Sequence, residues 1–285
     1  GQPRAMGLAD FRHLYRVYRS DTFMRRAMEQ HTWIIIWDDH ETTNDCYWDY
    51  TRDTLGAPDH PYQTDPRFEP LPDFARGLKL AAQRAWSEWL PVRPAFDRRE
   101  RHPHRALSIY RKFAFGDLVE LFMTDERTYR SAHPCGEEVL GQRMLVRGCD
   151  ERFAPDRTML GTTQRDWLVA GLVGSAAQWK VWGNEVFVGE LAINASTPAP
   201  LVLTVDAWDG FADERRRILS ACRDQRVENL VVLTGDLHTY MASLLKIDHT
   251  DVSNDDPANV VGVEFMTPAV TSANLVDQMG LTVPP

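Results

Sequence analysis

Two apolar runs in this chain each end in a cluster of carboxylate and imidazole side chains. Residues 32–37 lead into the motif WDDHE at 37–41, and residues 230–233 lead into GDLH at 235–238. Short apolar runs rich in β-branched residues are typical of buried strands. Polar groups converge at the carboxyl ends of parallel strands, where the chain leaves the core. The two motifs therefore predict an α/β enzyme with a metal site at these strand ends.

The bulk composition is that of an ordinary globular protein with a substantial core. The chain has 285 residues, of which 43% are hydrophobic and 26% charged. Its 32 basic and 41 acidic residues give a formal charge of −9, which argues against a nucleic-acid-binding surface and favours cationic ligands. No run reaches the roughly 18 apolar residues that a transmembrane helix needs. The four cysteines form no CxxC pair, so neither a zinc knuckle nor a disulfide framework can be assigned from them, and the redox compartment stays open.

Helical and strand-like patterns alternate along the chain. This alternation predicts an α/β (α+β mixed) fold, with a mixed sheet or two packed sheets and helices outside. A long loop at residues 53–72 is expected to shape the entrance to the site. Helices are predicted at 8–30 with a break and a cap at Ser20 or Asp21, and around 74–89, 161–182 and 212–225; strands are predicted at 32–37, 108–115 and 118–123 as a hairpin, 201–205, 230–233, 242–247 and 260–265.

Five of the strand-like runs end in or near carboxylates. A single aspartate at such a position is more often a helix cap or a turn former than a ligand. The two endings with an adjacent histidine differ, because mixed aspartate and histidine sites suit iron, manganese or zinc. The five endings are Asp38 and Asp39, Asp125, Asp206 and Asp209, Asp236, and the region of Glu264.

An ordered set of short motifs resembles the PhoD-like alkaline phosphatase family and, more distantly, the calcineurin-type metallophosphatases. Each motif alone is weak, but together they span residues 8 to 275 in the family's order. They are WDDHE at 37–41 with Asn44, DERxxR at 125–130, LG at 160–161 with Gln164 and WL at 167–168, WDG at 208–210 with Arg215, GDLH at 235–238, and TP at 267–268 with TS at 271–272.

The resemblance implies one metallophosphatase-like domain over residues 1–285, built of mixed β-sheets packed together with flanking helices. It implies a phosphomonoesterase or phosphodiesterase whose site holds iron and calcium, with other divalent metals as alternatives. Asp39, Asp236 and His238 are then expected as metal ligands. The substrate is expected to be a small-molecule or polymer phosphate ester. The resemblance also implies an exported protein, in the periplasm, at the cell surface or secreted.

The expected chemistry assigns further roles near the first motif. Paired metals would bind phosphate oxygens and lower the pKa of a bound water. His40 is expected to meet the phosphate or to protonate the leaving oxygen, beside Asp39 as a catalytic residue. Asn44 and Arg127 are expected to contact the phosphate, since a guanidinium matches phosphate geometry.

Three alternatives remain open from the sequence. Family members carry, ahead of the first helix here, strands that supply a cysteine, a bridging aspartate and a tyrosine in a GDxxYE-like motif. That motif is absent, so we expect an incomplete metal cluster and weak or no activity for the chain alone. The alternatives are such an incomplete hydrolase, a non-catalytic metallophosphatase-fold fragment with a binding role, and a binuclear hydrolase acting on carbon esters or amides.

Overall fold

The computed structural model describes residues 4–61, 72–135, 143–193, 201–251, 253–274 and 277. The chain forms two compact units. The first comprises Gly1–Ile109 with Arg127–Tyr129, and the second comprises Tyr110–Glu126 with Arg130–Pro285. The loop expected at residues 53–72 is wrong at its start, where Thr54–Gly56 pairs as a strand, and residues 62–71 of it lie outside the described residues.

The first unit is mainly helical and contains one small hairpin. The break predicted within residues 8–30 is confirmed, because the Asp21 side chain accepts a 2.7 Å hydrogen bond from the Met24 N–H and caps the second helix. The elements are α1 (Leu8–Tyr18), α2 (Thr22–Gln30), α3 (Pro72–Trp89), the short helix α4 (Pro103–Ala106), and the antiparallel strands β1 (Tyr47–Asp49) and β2 (Thr54–Gly56).

The strand predicted at residues 32–37 is wrong. This segment is irregular, and a 3-10 turn follows at Asp39–Glu41. Its apolar character is explained by side-chain packing, because Trp37 is buried and meets the Trp86 ring of α3 edge-on at 5.2 Å between centroids. A short apolar run indicates burial, but its periodicity does not say whether the backbone joins a sheet.

The second unit is built around a six-stranded mixed sheet with the order β10-β11-β9-β6-β4-β3. The four central strands pair in parallel, and the two edge strands are antiparallel to their neighbours. A three-stranded antiparallel sheet has the order β5-β8-β7. The strands are β3 (Arg111–Phe115), β4 (Val119–Met123), β5 (Met144–Arg147), β6 (Trp179–Gly183), β7 (Ala192–Ile193), β8 (Leu201–Thr204), β9 (Leu230–Thr234), β10 (Met241–Lys246) and β11 (Val260–Met266).

Most of the predicted elements of this unit are confirmed. The hairpin of β3 and β4 turns at Gly116, whose φ of 61° is the left-handed conformation that glycine favours. The helix predicted at 161–182 is wrong in its second half: α5 ends at Gly174, and Trp179–Gly183 is strand β6. The remaining helix is α6 (Ala212–Asp224).

The core of the second unit lies between its helices and the six-stranded sheet. Phe122 of β4, Trp182 of β6 and Val232 of β9 belong to one buried cluster with Leu168 and Leu172 of α5. This arrangement of helices and mixed sheets confirms the predicted α/β class. None of the described helices is both long enough and apolar enough to cross a bilayer.

The structure resolves the question about cysteines that the sequence left open. Cys135 and Cys149 form a disulfide bond in the second unit. Cys46 and Cys222 are free thiols, and both are buried.

Candidate functional site

The WDDHE motif forms a capped 3-10 turn in the first unit. The Asp39 N–H donates to Asp38 Oδ1 at 2.8 Å, and the Asp38 N–H donates to Glu41 Oε2 at 2.7 Å. The Asp38 side chain also accepts from the Glu41 N–H, so Asp38 and Glu41 form a capping box, which fixes the direction in which a helical turn begins. Glu41 thus has a structural role that sets the backbone carrying Asp39 and His40.

Asp39 is the buried carboxylate of this turn, with 3% of its surface exposed. Its Oδ1 accepts a hydrogen bond from the His40 N–H at 2.7 Å, and its Oδ2 accepts one from the Asp45 N–H at 2.5 Å. Asp45 adopts a φ of 52°, a left-handed conformation that is uncommon outside glycine. The main chain therefore holds the carboxylate in one orientation.

His40 and Asn44 lie together at the exposed side of the same turn. The His40 side chain is 66% exposed, and its Nε2 lies 3.2 Å from Asn44 Oδ1. The Asn44 Nδ2 donates to Asp59 Oδ2 at 2.8 Å, which directs the amide oxygen towards the imidazole. A carbonyl oxygen accepts a hydrogen bond from Nε2–H, so this contact favours the ring form that carries a proton on Nε2.

Arg127 approaches the turn through Asp38. Its Nε donates to Asp38 Oδ1 at 2.8 Å, and the Arg127 side chain has 0% of its surface exposed. Its backbone oxygen accepts a 2.7 Å hydrogen bond from the Trp48 N–H in β1. The sequence grouped Asp38 with Asp39 at one strand end and gave no separate role to Asp38, because nothing local indicates a partner 89 residues away.

The surroundings of the acidic turn change the pKa of Glu41. Burial raises the pKa of Glu41 to about 7, the hydrogen bond from the Asp38 backbone lowers it, and the charges of Asp38 and Asp39 raise it further. The buried ammonium of Lys79 acts in the opposite direction. Three carboxylates so close together make this turn a favourable place for a cation.

The GDLH motif is the second unit's predicted site, and it begins where β9 ends. Asp236 and His238 have φ values of 73° and 53°, so two non-glycine residues in three positions adopt left-handed conformations. Residues in sparsely populated conformations cluster at active sites and ligand-binding turns. His238 Nδ1 lies 2.9 Å from the Ala273 carbonyl oxygen, which fixes the proton on Nδ1 and the ring lone pair on Nε2.

Glu185 is a residue of this region that the sequence did not identify. Its backbone oxygen accepts the Gly235 N–H at 3.1 Å, so it supports the start of the GDLH turn. Glu126 and Glu185 each accept the other's backbone N–H, at 2.9 and 3.1 Å, and burial raises the pKa of Glu126 to about 7. Glu185 follows β6, and the incorrect assignment of that strand as helix hid another strand end with a carboxylate.

The donor atoms of both motifs fit metal ions by their chemistry. The Asp39 carboxylate and the Asn44 amide oxygen are hard oxygen donors of the kind that calcium takes. The Asp236 carboxylate and the His238 imidazole form a mixed oxygen and nitrogen set, which suits iron or zinc. The main-chain hydrogen bonds of Asp39 and His238 hold these donors in place, as partners of metal ligands commonly do.

Comparison with known proteins decides the family. The family model described as PhoD-like phosphatase matches residues 2–283. The chain belongs to the PhoD-like phosphatase family. It is 29% identical over 265 residues to alkaline phosphatase D of Bacillus subtilis (strain 168), and the match covers 93% of this chain and 40% of that protein. A solved structure titled "Structure of PhoD" superposes with a TM-score of 0.76 at 27% identity and covers 94% of this chain and 45% of that one.

Family membership confirms the resemblance that the ordered motifs indicated, and the solved PhoD structure supports the mixed α/β fold. The chain spans 40% of the curated relative's length, so the activity of the whole relative is not transferred to it as a finding. Four of the six predicted site residues belong to the first unit and two to the second. The roles predicted for all six in this PhoD-like chain stay predictions.

Proposed function

We propose that this chain hydrolyses phosphate esters, as a monoesterase or diesterase, with the help of bound metal ions. Membership in the PhoD-like phosphatase family supports this reaction class. The observation that carries the proposal is the capped turn at Asp39–Glu41, which places a buried carboxylate next to an exposed imidazole in contact with an amide. Burying a carboxylate costs free energy, and a turn that only packs the core has no need of one.

We assign Asp39, Asp236 and His238 as metal ligands, with iron and calcium as the metals that the family resemblance suggests. When bound, such ions would neutralise phosphate oxygens and make a water molecule more acidic. The chain's own residues supply orientation. The backbone N–H groups of His40 and Asp45 aim the Asp39 carboxylate, and the Ala273 carbonyl aims the His238 ring.

His40 is proposed as the group that donates a proton to the leaving oxygen. Its ring is accessible to a substrate, and Asn44 orients it through the contact at Nε2. A positioned acid of this kind contributes roughly 10²- to 10⁴-fold to a rate. Asn44 is proposed to contact the phosphate as well, through rotation of an amide that Asp59 now holds.

Arg127 has two candidate roles. The first is a contact with the substrate phosphate, which the planar guanidinium matches in geometry. The ion pair between the buried Arg127 guanidinium and Asp38 supports a positioning role, in which Arg127 fixes the carboxylate that caps the turn.

We further propose that the chain works in an oxidising compartment outside the cytoplasm, on small-molecule or polymer phosphate esters. The disulfide between Cys135 and Cys149 supports this location, because such bonds persist in exported proteins and are rare in the cytosol.

The test combines metal analysis with hydrolysis of an aryl phosphate and an aryl phosphodiester, with and without added calcium. We expect bound metal and metal-dependent turnover, less metal in Asp39→Asn, and a turnover loss of roughly 100-fold or more in His40→Gln with metal content unchanged. The matched control is His13→Gln, because His13 is an exposed histidine that contacts Arg16 on α1. The proposal fails if Asp39→Asn and the unmodified chain give the same turnover and the same metal content.

A further inference from the structure

A second group of potential metal ligands lies in the first unit and involves none of the residues proposed for catalysis. Asp53 lies in the turn between β1 and β2, and His102 and His104 flank the proline that begins α4. One ligand atom from each of these three side chains lies within 4.8 Å of the others. We refer to them as the Asp53–His102–His104 cluster.

The His104 ring already has the hydrogen bonding of a metal ligand. The ring bonds to the Thr128 backbone, and its Nε2 is buried without a hydrogen-bond partner among the described residues, so Nδ1 makes the backbone bond. Burial lowers the pKa of His104 to about 4, which keeps the imidazole neutral. A neutral ring with Nδ1–H on a carbonyl oxygen presents the Nε2 lone pair, and this is the usual state of a histidine that binds a metal.

His102 and Asp53 face each other in the same cluster. Asp53 Oδ1 accepts hydrogen bonds from His102 Nε2 at 2.6 Å and from Trp48 Nε1 at 2.9 Å. His102 Nδ1 accepts the His104 N–H at 3.2 Å, so its ring proton is on Nε2 and points at the carboxylate. A cation that replaced this proton would take the place of the His102–Asp53 hydrogen bond, and the proton would move to Nδ1 and break the 3.2 Å bond from the His104 N–H. The bond from Trp48 Nε1 to Asp53 does not depend on this proton.

Aromatic rings pack against the two imidazoles of the cluster, whereas the Asp53 side chain is 49% exposed. The His104 ring stacks on Tyr50 at 5.8 Å between centroids and an angle of 25°, and it contacts Tyr129 at 5.1 Å. The His102 ring lies edge-on to His104 at 4.8 Å and to Trp48 at 5.9 Å. These rings limit the access of water on the imidazole side, which strengthens the interaction between a cation and the two histidines.

We propose that the Asp53–His102–His104 cluster binds a divalent transition-metal ion, with zinc preferred. Two imidazoles and one carboxylate suit zinc, whereas calcium and magnesium prefer oxygen ligands. Three protein ligands leave a position for water, because zinc is usually four-coordinate. The ion would hold the β1–β2 turn to α4, and so to the Thr128 backbone beside Arg127.

The test is zinc binding to the metal-stripped full chain by equilibrium dialysis, in an Asp39→Asn background that removes a proposed catalytic ligand. We expect one zinc equivalent that weakens by at least ~10-fold in Asp53→Asn and in His104→Ala, since even the outer partners of ligands contribute that much. His13→Ala is the matched control and should bind zinc as the background does. Equal zinc binding by all four proteins would overturn the proposal and leave the proposed phosphatase function unaffected.

A spectroscopic measurement protects this test against variants that fail to fold. In the unmodified chain, long-range ¹H–¹⁵N spectra of the histidine rings should show the His102 proton moving from Nε2 to Nδ1 when zinc is added. The His104 Nε2 resonance should move in the same titration. If zinc leaves both rings unchanged, the cluster is not a zinc site.

Discussion

The ion pair between Arg127 and Asp38 allows a quantitative test of how the first unit holds its acidic turn. Asp38 Oδ1 accepts from both the Arg127 Nε and the Asp39 N–H, each at 2.8 Å. Asp38→Asn keeps an oxygen at this position and removes only the charge. Arg127→Met keeps most of the side-chain volume and removes the guanidinium.

The expected magnitudes follow from burial. Hydrogen bonds to charged groups contribute about 1.5–3 kcal/mol and neutral ones about 1 kcal/mol, so Asp38→Asn should lower the free energy of unfolding by ~1–2 kcal/mol. Removing one partner of a fully buried ion pair costs about 3–5 kcal/mol. The Asp38 side chain is 30% exposed, so water screens the carboxylate that Arg127→Met leaves behind. We therefore expect a loss nearer ~2–3 kcal/mol for this variant.

The assay is urea denaturation of both single variants and the double variant, analysed as a double-mutant cycle. We expect the two losses to be coupled by ~1–2 kcal/mol, because the second substitution removes a charge that has already lost its partner. The same cycle on Arg223 and Asp224, an exposed pair at 2.8 Å, should show coupling within error. Additive losses for Arg127 and Asp38 within ~0.3 kcal/mol would refute the positioning role. A large rise in KM without loss of stability in Arg127→Met would instead support the phosphate contact.

Three further predictions concern the second unit. Burial raises the pKa of Glu264 from 4.5 to about 7, so the folded chain holds a proton that the unfolded chain releases. The free energy of unfolding should therefore fall as pH rises from about 4.5 to 7, and it should fall less in Glu264→Gln. Denaturation across that pH range measures both. An equal pH dependence in both proteins would contradict this. Reducing the disulfide of Cys135 and Cys149, 14 residues apart, should lower stability by ~3 kcal/mol, with a Cys135→Ser/Cys149→Ser variant insensitive to reductant as the control. Asp236→Gly should relieve a left-handed φ of 73° and leave the metal-free chain as stable or up to ~1 kcal/mol more stable, while metal content falls; clear destabilisation would argue against strain at this position.

The sequence predicted most of the second unit because its signals are local. The hairpin of β3 and β4 has a glycine at its turn, helix α6 has apolar residues at helical spacing, and strands β8 to β11 are short runs rich in apolar residues. Two of the errors have one physical cause. Trp179 continues the helical spacing of Leu168 and Leu172 but lies in a parallel strand, and Trp37 is buried against a helix instead of in a sheet. Spacing and hydrophobicity report burial, whereas strand pairing depends on partners elsewhere in the chain.

The candidate residues also divide into those with a local sequence signal and those that depend on a distant partner. Asp39, His40, Asp236 and His238 were predicted because each lies in a short motif next to an apolar run. Residues whose importance depends on a distant partner were missed. Asp53 and His102 are 49 residues apart, and no spacing rule for a single chain connects them. The same holds for the pairing of two buried glutamates 59 residues apart behind the GDLH turn.

One feature shared by three of the proposed ligands determines which variants are informative. The main chain orients Asp39, His238 and His104: backbone N–H groups donate to Asp39, the Ala273 carbonyl accepts from His238, and the Thr128 backbone holds His104. An amide oxygen can accept the same N–H bonds as a carboxylate, so Asp39→Asn preserves the orientation and removes only the charge. A loss of metal in that variant with unchanged stability would therefore report the electrostatic contribution of the ligand. A simultaneous loss of stability would show instead that the charge also holds the turn.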